Sequence, residues 1–124
     1  MNQKEIEAVL KLPANKRYEY FIKKVVDSEE VWVLYFDGWA TTSDNLGNVL
    51  LPFWPKKEFA QYCAIESWGS YAPEKIELEE FMSEWLIGMK NDGNKPSIFW
   101  NNKDSAVVEI DVLLNDLNKE LENY

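Results

Sequence analysis

Histidine is absent from all 124 residues, and cysteine occurs once, at Cys63. Without imidazole there is no histidine-dependent triad or dyad and no Cys/His zinc site, and one thiol cannot close an intramolecular disulfide. No metal or cofactor set is expected. Basic side chains are scarce, 13 against 22 acidic ones, for a net charge of −9. Such a surface repels phosphate backbones, so nucleic acid is not the expected partner. No apolar run approaches the ~20 residues of a membrane span, and no signal-peptide pattern opens the chain. A cytoplasmic protein without membrane contact is therefore expected. Five glycines and five prolines are scattered rather than clustered, leaving no linker, repeat or low-complexity tract. What remains is a globular mix, 46% hydrophobic with six tryptophans, in a length that suits one domain.

Apolar spacing gives the elements. Residues 2–11 suit a short helix with Ile6, Val9 and Leu10 on one face, broken at Leu12-Pro13. Pro13 also suits the start of a second helix, where Tyr18, Phe21, Ile22, Val25 and Val26 make one wide apolar stripe. The β-branched and aromatic run Val31–Phe36 predicts a strand. Asp37-Gly38 predicts a hairpin turn, with the chain returning through Trp39–Thr42. Val49–Trp54 is a third strand in which Pro52 removes a ladder donor. Pro55 opens a helix to about Ser67, followed by a loop at Trp68–Pro73. Leu78, Phe81, Met82, Trp85 and Met89 predict a further helix, stopped at Asn91-Asp92-Gly93. Ile98–Trp100 and Ala106–Ile110 predict a second hairpin, and Asp111 can cap a last helix carrying Leu113, Leu114, Leu117 and Leu121. The order is α-α-β-β-β-α-α-β-β-α, an α+β single domain with one mostly antiparallel sheet of about five strands and helices packed on it. A short sixth strand at Lys75–Glu77 is a further possibility.

Leu12-Pro13-Ala14, Arg17-Tyr18-x-Tyr20-Phe21-Ile22, Asp37-Gly38-Trp39-Ala40 and Pro52-x-Trp54-Pro55-x-x-Glu58-x-Ala60 together form a pattern over most of the chain. Leu78-x-x-Phe81-x-x-x-Trp85-Leu86 and the leucine-rich C-terminal helix extend it. The pattern resembles the bacterial family called domain of unknown function 2750. That resemblance implies a bacterial cytoplasmic protein and assigns no catalytic or binding residue.

Three aromatic-polar clusters are candidate binding sites, each with a plainer structural role beside it. Asp37 and Trp39 place a large rigid ring next to a tight turn, for recognition or to anchor the hairpin. Trp54, Lys56, Lys57 and Glu58 lie at a strand-to-helix junction, where free amides and two lysines attract an anion unless Glu58 already occupies the field. Trp68 sits in a loop, to contact a ligand or to clamp the loop onto the core. A fourth candidate is acidic. Glu77, Glu80 and Glu84 are read as one helix face opposite Phe81 and Trp85, either a solvated surface or a face that steers a basic partner. Cys63 falls on an apolar stripe with no base to ionise it and is expected to be an inert buried thiol. No pair of carboxylates is singled out by spacing, so no catalytic residue is named.

Two functional classes follow. The first is a non-enzymatic domain that binds another protein, of which an immunity-like inhibitor of a basic partner is the specific form. The second is a small-molecule sensor or carboxylate-based enzyme built on the Trp54–Glu58 segment.

Overall fold

A computed structural model describes residues 1–124. Asn2 caps α1 (Gln3–Leu10) by accepting from the Glu5 amide, and Val9 and Leu10 are its buried residues. Pro13 stands at the N-cap of α2 (Ala14–Ser28), whose Phe21, Ile22, Val25 and Val26 enter the core as their spacing predicts. Arg17 is buried on the same helix, which hydrophobic spacing could not foresee.

The six strands form two mostly antiparallel sheets rather than one. β1 (Glu30–Tyr35) pairs with β4 (Ala72–Glu77) from Glu30↔Glu77 to Tyr35↔Ala72. The other sheet has the order β2-β3-β5-β6, with β2 (Thr42–Ser43), β3 (Val49–Phe53), β5 (Lys95–Ile98) and β6 (Ala106–Val107). Its β3–β5 pair is parallel, Leu50↔Lys95 to Phe53↔Ile98. A single antiparallel bridge joins the sheets: the Trp32 and Trp54 amides each donate to the other's carbonyl at 2.9 Å. Pro52 lies two residues before Trp54, so its missing N–H points to the same side. There β2 has already ended, at Thr42↔Leu50, and no ladder donor is lost.

The Asp37-Gly38 turn forms with the positive φ values it requires, 54° and 148°, but not the hairpin. Only Tyr35↔Trp39 bridges across it before the chain leaves to pair β2 with β3. β4 takes the opposite edge of β1. Only Ile76 of β4 is buried, so the strand gets its structure from β1 rather than from its own pattern. The loop expected at Trp68–Pro73 thus ends in a strand, and the possible strand at Lys75–Glu77 is its second half.

Helix α3 is shorter than expected, Lys57–Tyr62, with a 3-10 turn at Glu66–Trp68 after it. Phe59, Ala60 and Cys63 are buried there, whereas Tyr62 and Ile65 are exposed. The next helix is interrupted: α4 (Leu78–Glu80) passes into a π turn at Phe81–Trp85 and then into α5 (Leu86–Asp92). The Leu86 amide reaches back to the Phe81 carbonyl. The extra residue in that turn brings Leu86 into the core with Phe81, while Trp85 stays half-buried. Gly93 ends α5 in the left-handed region at φ 75°. Helix α6 (Ile110–Leu121) starts two residues earlier than an Asp111 cap allows. Glu109 is at the N-cap, and Asp111, in the first turn, pairs with Lys90 of α5 at 2.8 Å. Leu113 and Leu117 are fully buried, and Leu114 and Leu121 line its flank. One hydrophobic cluster of 25 buried residues draws on both sheets and on the helices, consistent with one α+β domain.

Candidate functional site

Three surfaces carry chemistry beyond packing. The first surrounds the Asp37 turn. Trp39 is 43% exposed and Phe36 57% exposed. The Trp39 ring meets Tyr35 and Trp85 edge-on, each at 4.8 Å between centroids, and Phe36 lies 5.9 Å from Tyr71. Trp39 is thus neither a core anchor nor a free ring; it belongs to a surface aromatic cluster with Asp37 exposed beside it.

The second is a groove of about 690 Å³ between the Leu78–Asp92 helix and α6. Its floor is apolar, with Leu78, Met82, Ile87, Leu114 and Leu121, and its rim carries Glu29, Glu77 and Glu79 without a single lysine or arginine. Glu29 ends α2 at φ 60°, where a side chain costs about 1–2 kcal/mol relative to ordinary backbone, and its carbonyl accepts from the Leu78 amide at 2.9 Å. Glu77, Glu80 and Glu84 do not form one helical face. Glu77 ends β4 and precedes the helix, Glu80 closes α4, and Glu84 lies in the π turn. Of the three, only Glu77 lines the groove. Glu80 and Glu84 are exposed elsewhere on the helix.

The third is a pocket of about 380 Å³ between β2, the Glu66–Trp68 turn and the loop after β5. Trp68 and Trp100 line it together with a group of serine, threonine and asparagine side chains and Glu66. The Trp54–Glu58 segment supports this pocket from behind but does not form a site. Trp54 is fully buried; its Nε1 donates to the Trp100 carbonyl at 2.9 Å, and its ring meets Trp68 at 6.2 Å. Lys56 sits at the N-cap position of α3, a helix of six residues, and Lys57 is exposed. Neither they, Trp54 nor Glu58 lines any of the five main cavities. The Glu58 charge acts instead on the Tyr20 phenol, whose pKa is raised by burial first and then by Glu5 and Glu58. The Tyr20 hydroxyl is buried without a hydrogen-bond partner.

Cys63 is buried, donates to the Trp100 carbonyl at 3.2 Å, and has its pKa pushed up to about 12 by desolvation. A thiol so placed is not a nucleophile at neutral pH. No group of three or more Cys, Asp or Glu side chains is arranged to hold a metal ion, and no helix is long and apolar enough to cross a membrane.

Arg17 is the polar residue that sequence reasoning missed. Its guanidinium is 1% exposed and donates to the carbonyls of Leu12, Phe99 and Asp104 and to the Asp104 carboxylate. Those bonds tie α2 to the loop where Phe99 and Asn102 hold positive φ, 59° and 72°. The single available signal was an arginine one position before Tyr18, on the flank of the apolar stripe.

The family model described as "Protein of unknown function (DUF2750)" matches residues 18–121, and the chain belongs to that family. A search of curated proteins gives no match.

Proposed function

We propose that this DUF2750 protein is a bacterial cytoplasmic protein-interaction domain that receives a basic amphipathic helix of a partner in the groove beside α6. The observation that supports this reading is the pairing of an apolar floor with a purely acidic rim. An amphipathic helix lays apolar anchors about one turn apart into such a floor, here onto Met82, Ile87, Leu114 and Leu121, and turns its lysines and arginines to the edges. There they meet Glu29 and Glu79, while Glu77 beside them is paired with Lys75 at 3.2 Å. The net charge of −9 steers a basic partner before contact. Glu29 fits the same reading, because a carboxylate stands on strained backbone where glycine costs less. The specific form we infer is an immunity-like inhibitor that holds a basic partner by charge complementarity.

The test uses a fluorescent Lys/Leu amphipathic peptide of about five helical turns and measures anisotropy against two double variants of equal charge change. Glu29→Gln with Glu79→Gln removes rim charge at the groove. Glu80→Gln with Glu84→Gln removes the same charge from outside it. Exposed pairs contribute about 0.2–1 kcal/mol each, so the first variant should bind roughly 2- to 30-fold more weakly and the second like wild type. Equal weakening in both overturns the groove assignment in favour of general acidity. Phe36→Ser with Trp39→Ser checks the aromatic cluster; loss of binding there with the groove variant intact also overturns it.

A further inference from the structure

We propose that the pocket between β2, the Glu66–Trp68 turn and the loop after β5 is a binding site for an uncharged polyhydroxylated ring, a sugar in its free form or as the ribose of a nucleoside. The pocket measures about 380 Å³, near the lower end for small-molecule sites and suited to one or two rings. Its chemistry selects the ligand. No lysine or arginine lines it, and Glu66 is its single charge, so an anionic ligand finds repulsion and no counter-charge. Thr42, Ser43, Ser67 and Asn102 present groups that both donate and accept, and none of these side chains is used in a hydrogen bond within the chain. Hydroxyls complement other hydroxyls in this way, and a carboxylate such as Glu66 accepts from two neighbouring hydroxyls at once.

The indoles supply the other half. Trp68 and Trp100 are half-buried and keep their N–H groups free, in contrast to Trp54, whose N–H is used inside the core. A flat apolar face with a polar edge suits a ring that has C–H groups on its faces and hydroxyls at its rim. The Trp68 indole and the Trp100 backbone are held from behind. Trp54 packs edge-on against Trp68, and the Trp100 carbonyl accepts from both Trp54 and Cys63. Ser97, buried at the pocket floor, is fixed to Ser105 at 2.6 Å. The walls are therefore ordered before a ligand arrives, which lowers the cost of binding. Two lining residues, Glu66 and Asn102, hold left-handed backbone at φ 53° and 72°. The strain fixes where their side chains project, as it does at ligand-binding turns elsewhere.

The experiment follows the six indole N–H signals by NMR while the intact protein is titrated with D-glucose, maltose, adenosine and glucose 6-phosphate. At least one of the three neutral probes should shift the Trp68 and Trp100 signals saturably, with a Kd of about 1 mM or tighter, and leave Trp39 unmoved. Saccharide binding and adenosine binding distinguish the free sugar from the nucleoside, and either supports the site. Glucose 6-phosphate should bind at least about tenfold more weakly than glucose or not at all. Glu66→Gln, which keeps shape and fold, should weaken the neutral probe several-fold, and Trp68→Ala should abolish the shift at Trp100. Absence of saturable shifts with all three neutral probes overturns the proposal. So does glucose 6-phosphate binding as tightly as glucose, or neutral binding that Glu66→Gln leaves unchanged. None of these outcomes depends on the groove beside α6, which shares no lining residue with this pocket.

Discussion

Replacing Arg17 with methionine keeps most of the side-chain volume and removes every hydrogen bond that the guanidinium makes. Four acceptors lose their donor: the carbonyls of Leu12, Phe99 and Asp104, and the Asp104 carboxylate. They do not lose equally. Asp104 is 61% exposed in its side chain, so water replaces the arginine there and its pairing contributes at most about 1 kcal/mol. Leu12 is exposed as well. Phe99 is fully buried, and an orphaned buried carbonyl costs about 1–3 kcal/mol. The expected total is a loss of about 2–4 kcal/mol, with the Phe99 carbonyl its largest part. Asp104→Ala, by contrast, leaves the buried guanidinium without its counter-charge but still bonded to three carbonyls, and should cost about 1–2 kcal/mol. Urea unfolding followed by tryptophan fluorescence reads both. With a slope of about 2 kcal/mol per molar urea, Arg17→Met should lower the midpoint by roughly 1–2 M and Asp104→Ala by about half of that. An Asp104→Ala loss equal to that of Arg17→Met would refute the reasoning. It would mean that the ion pair, and not the buried carbonyl, holds the loop.

The final helix is part of the core, so Leu117→Ala, at a fully buried position, should cost about 2–5 kcal/mol by the same assay; a loss under about 0.5 kcal/mol means loose docking. Alkali should destabilise the fold. The pKa of Cys63 rises from 9.0 to about 12 on folding, and that of Tyr18 rises above its ordinary 10.0 through burial and its 2.5 Å bond to Asp116. Groups raised in the native state bind protons that the unfolded chain releases first. Their contribution is therefore complete below about pH 9 and is lost as pH climbs towards the raised values. The urea midpoint should fall between pH 9 and 11, and Tyr18→Phe should flatten that fall; a midpoint constant to pH 11 contradicts it. At pH 8 the Cys63 thiol should stay silent to an aromatic disulfide reagent until urea unfolds the chain; reaction in the native state at the rate of a free thiol contradicts its burial.

The helices were legible because each buries a stripe that the sequence states by spacing. Phe21, Ile22, Val25 and Val26 behave as their positions predict, and so do Leu113 and Leu117. The strand pairings were not legible, because they are contacts between distant segments. Asp37-Gly38 announces a turn, and the turn is there, yet its flanks pair only at Tyr35↔Trp39, because the same edge of β1 meets Trp54 at Trp32. Nothing local in Ala72–Glu77, with one buried residue among six, reveals that it pairs along the opposite edge of β1. The parallel β3–β5 pair is hidden for the same reason. The π turn at Phe81–Trp85 defeats the acidic-face argument, since spacing assumes a uniform helix and one extra residue redirects everything around it. Candidate residues fared according to their shape. Trp39 and Trp54 both read as aromatic anchors or ligands, but one lies on the surface and the other in the core, a difference set by tertiary packing alone. The pocket at Trp68 draws its walls from β2, the Glu66–Trp68 turn and the loop after β5, and only Trp68 among them stood out along the chain.

The groove reading has one direct measurement. The chain has three methionines, of which Met82 lines the groove, Met89 is buried and Met1 is an exposed terminal residue outside it. With the methionine methyl groups isotopically labelled, titration with the Lys/Leu amphipathic peptide should move the Met82 signal saturably and leave Met1 in place, and added salt should weaken the effect by screening the acidic rim. A Met82 signal that does not move at saturating peptide, or that moves no more than Met1, contradicts the groove as the docking site.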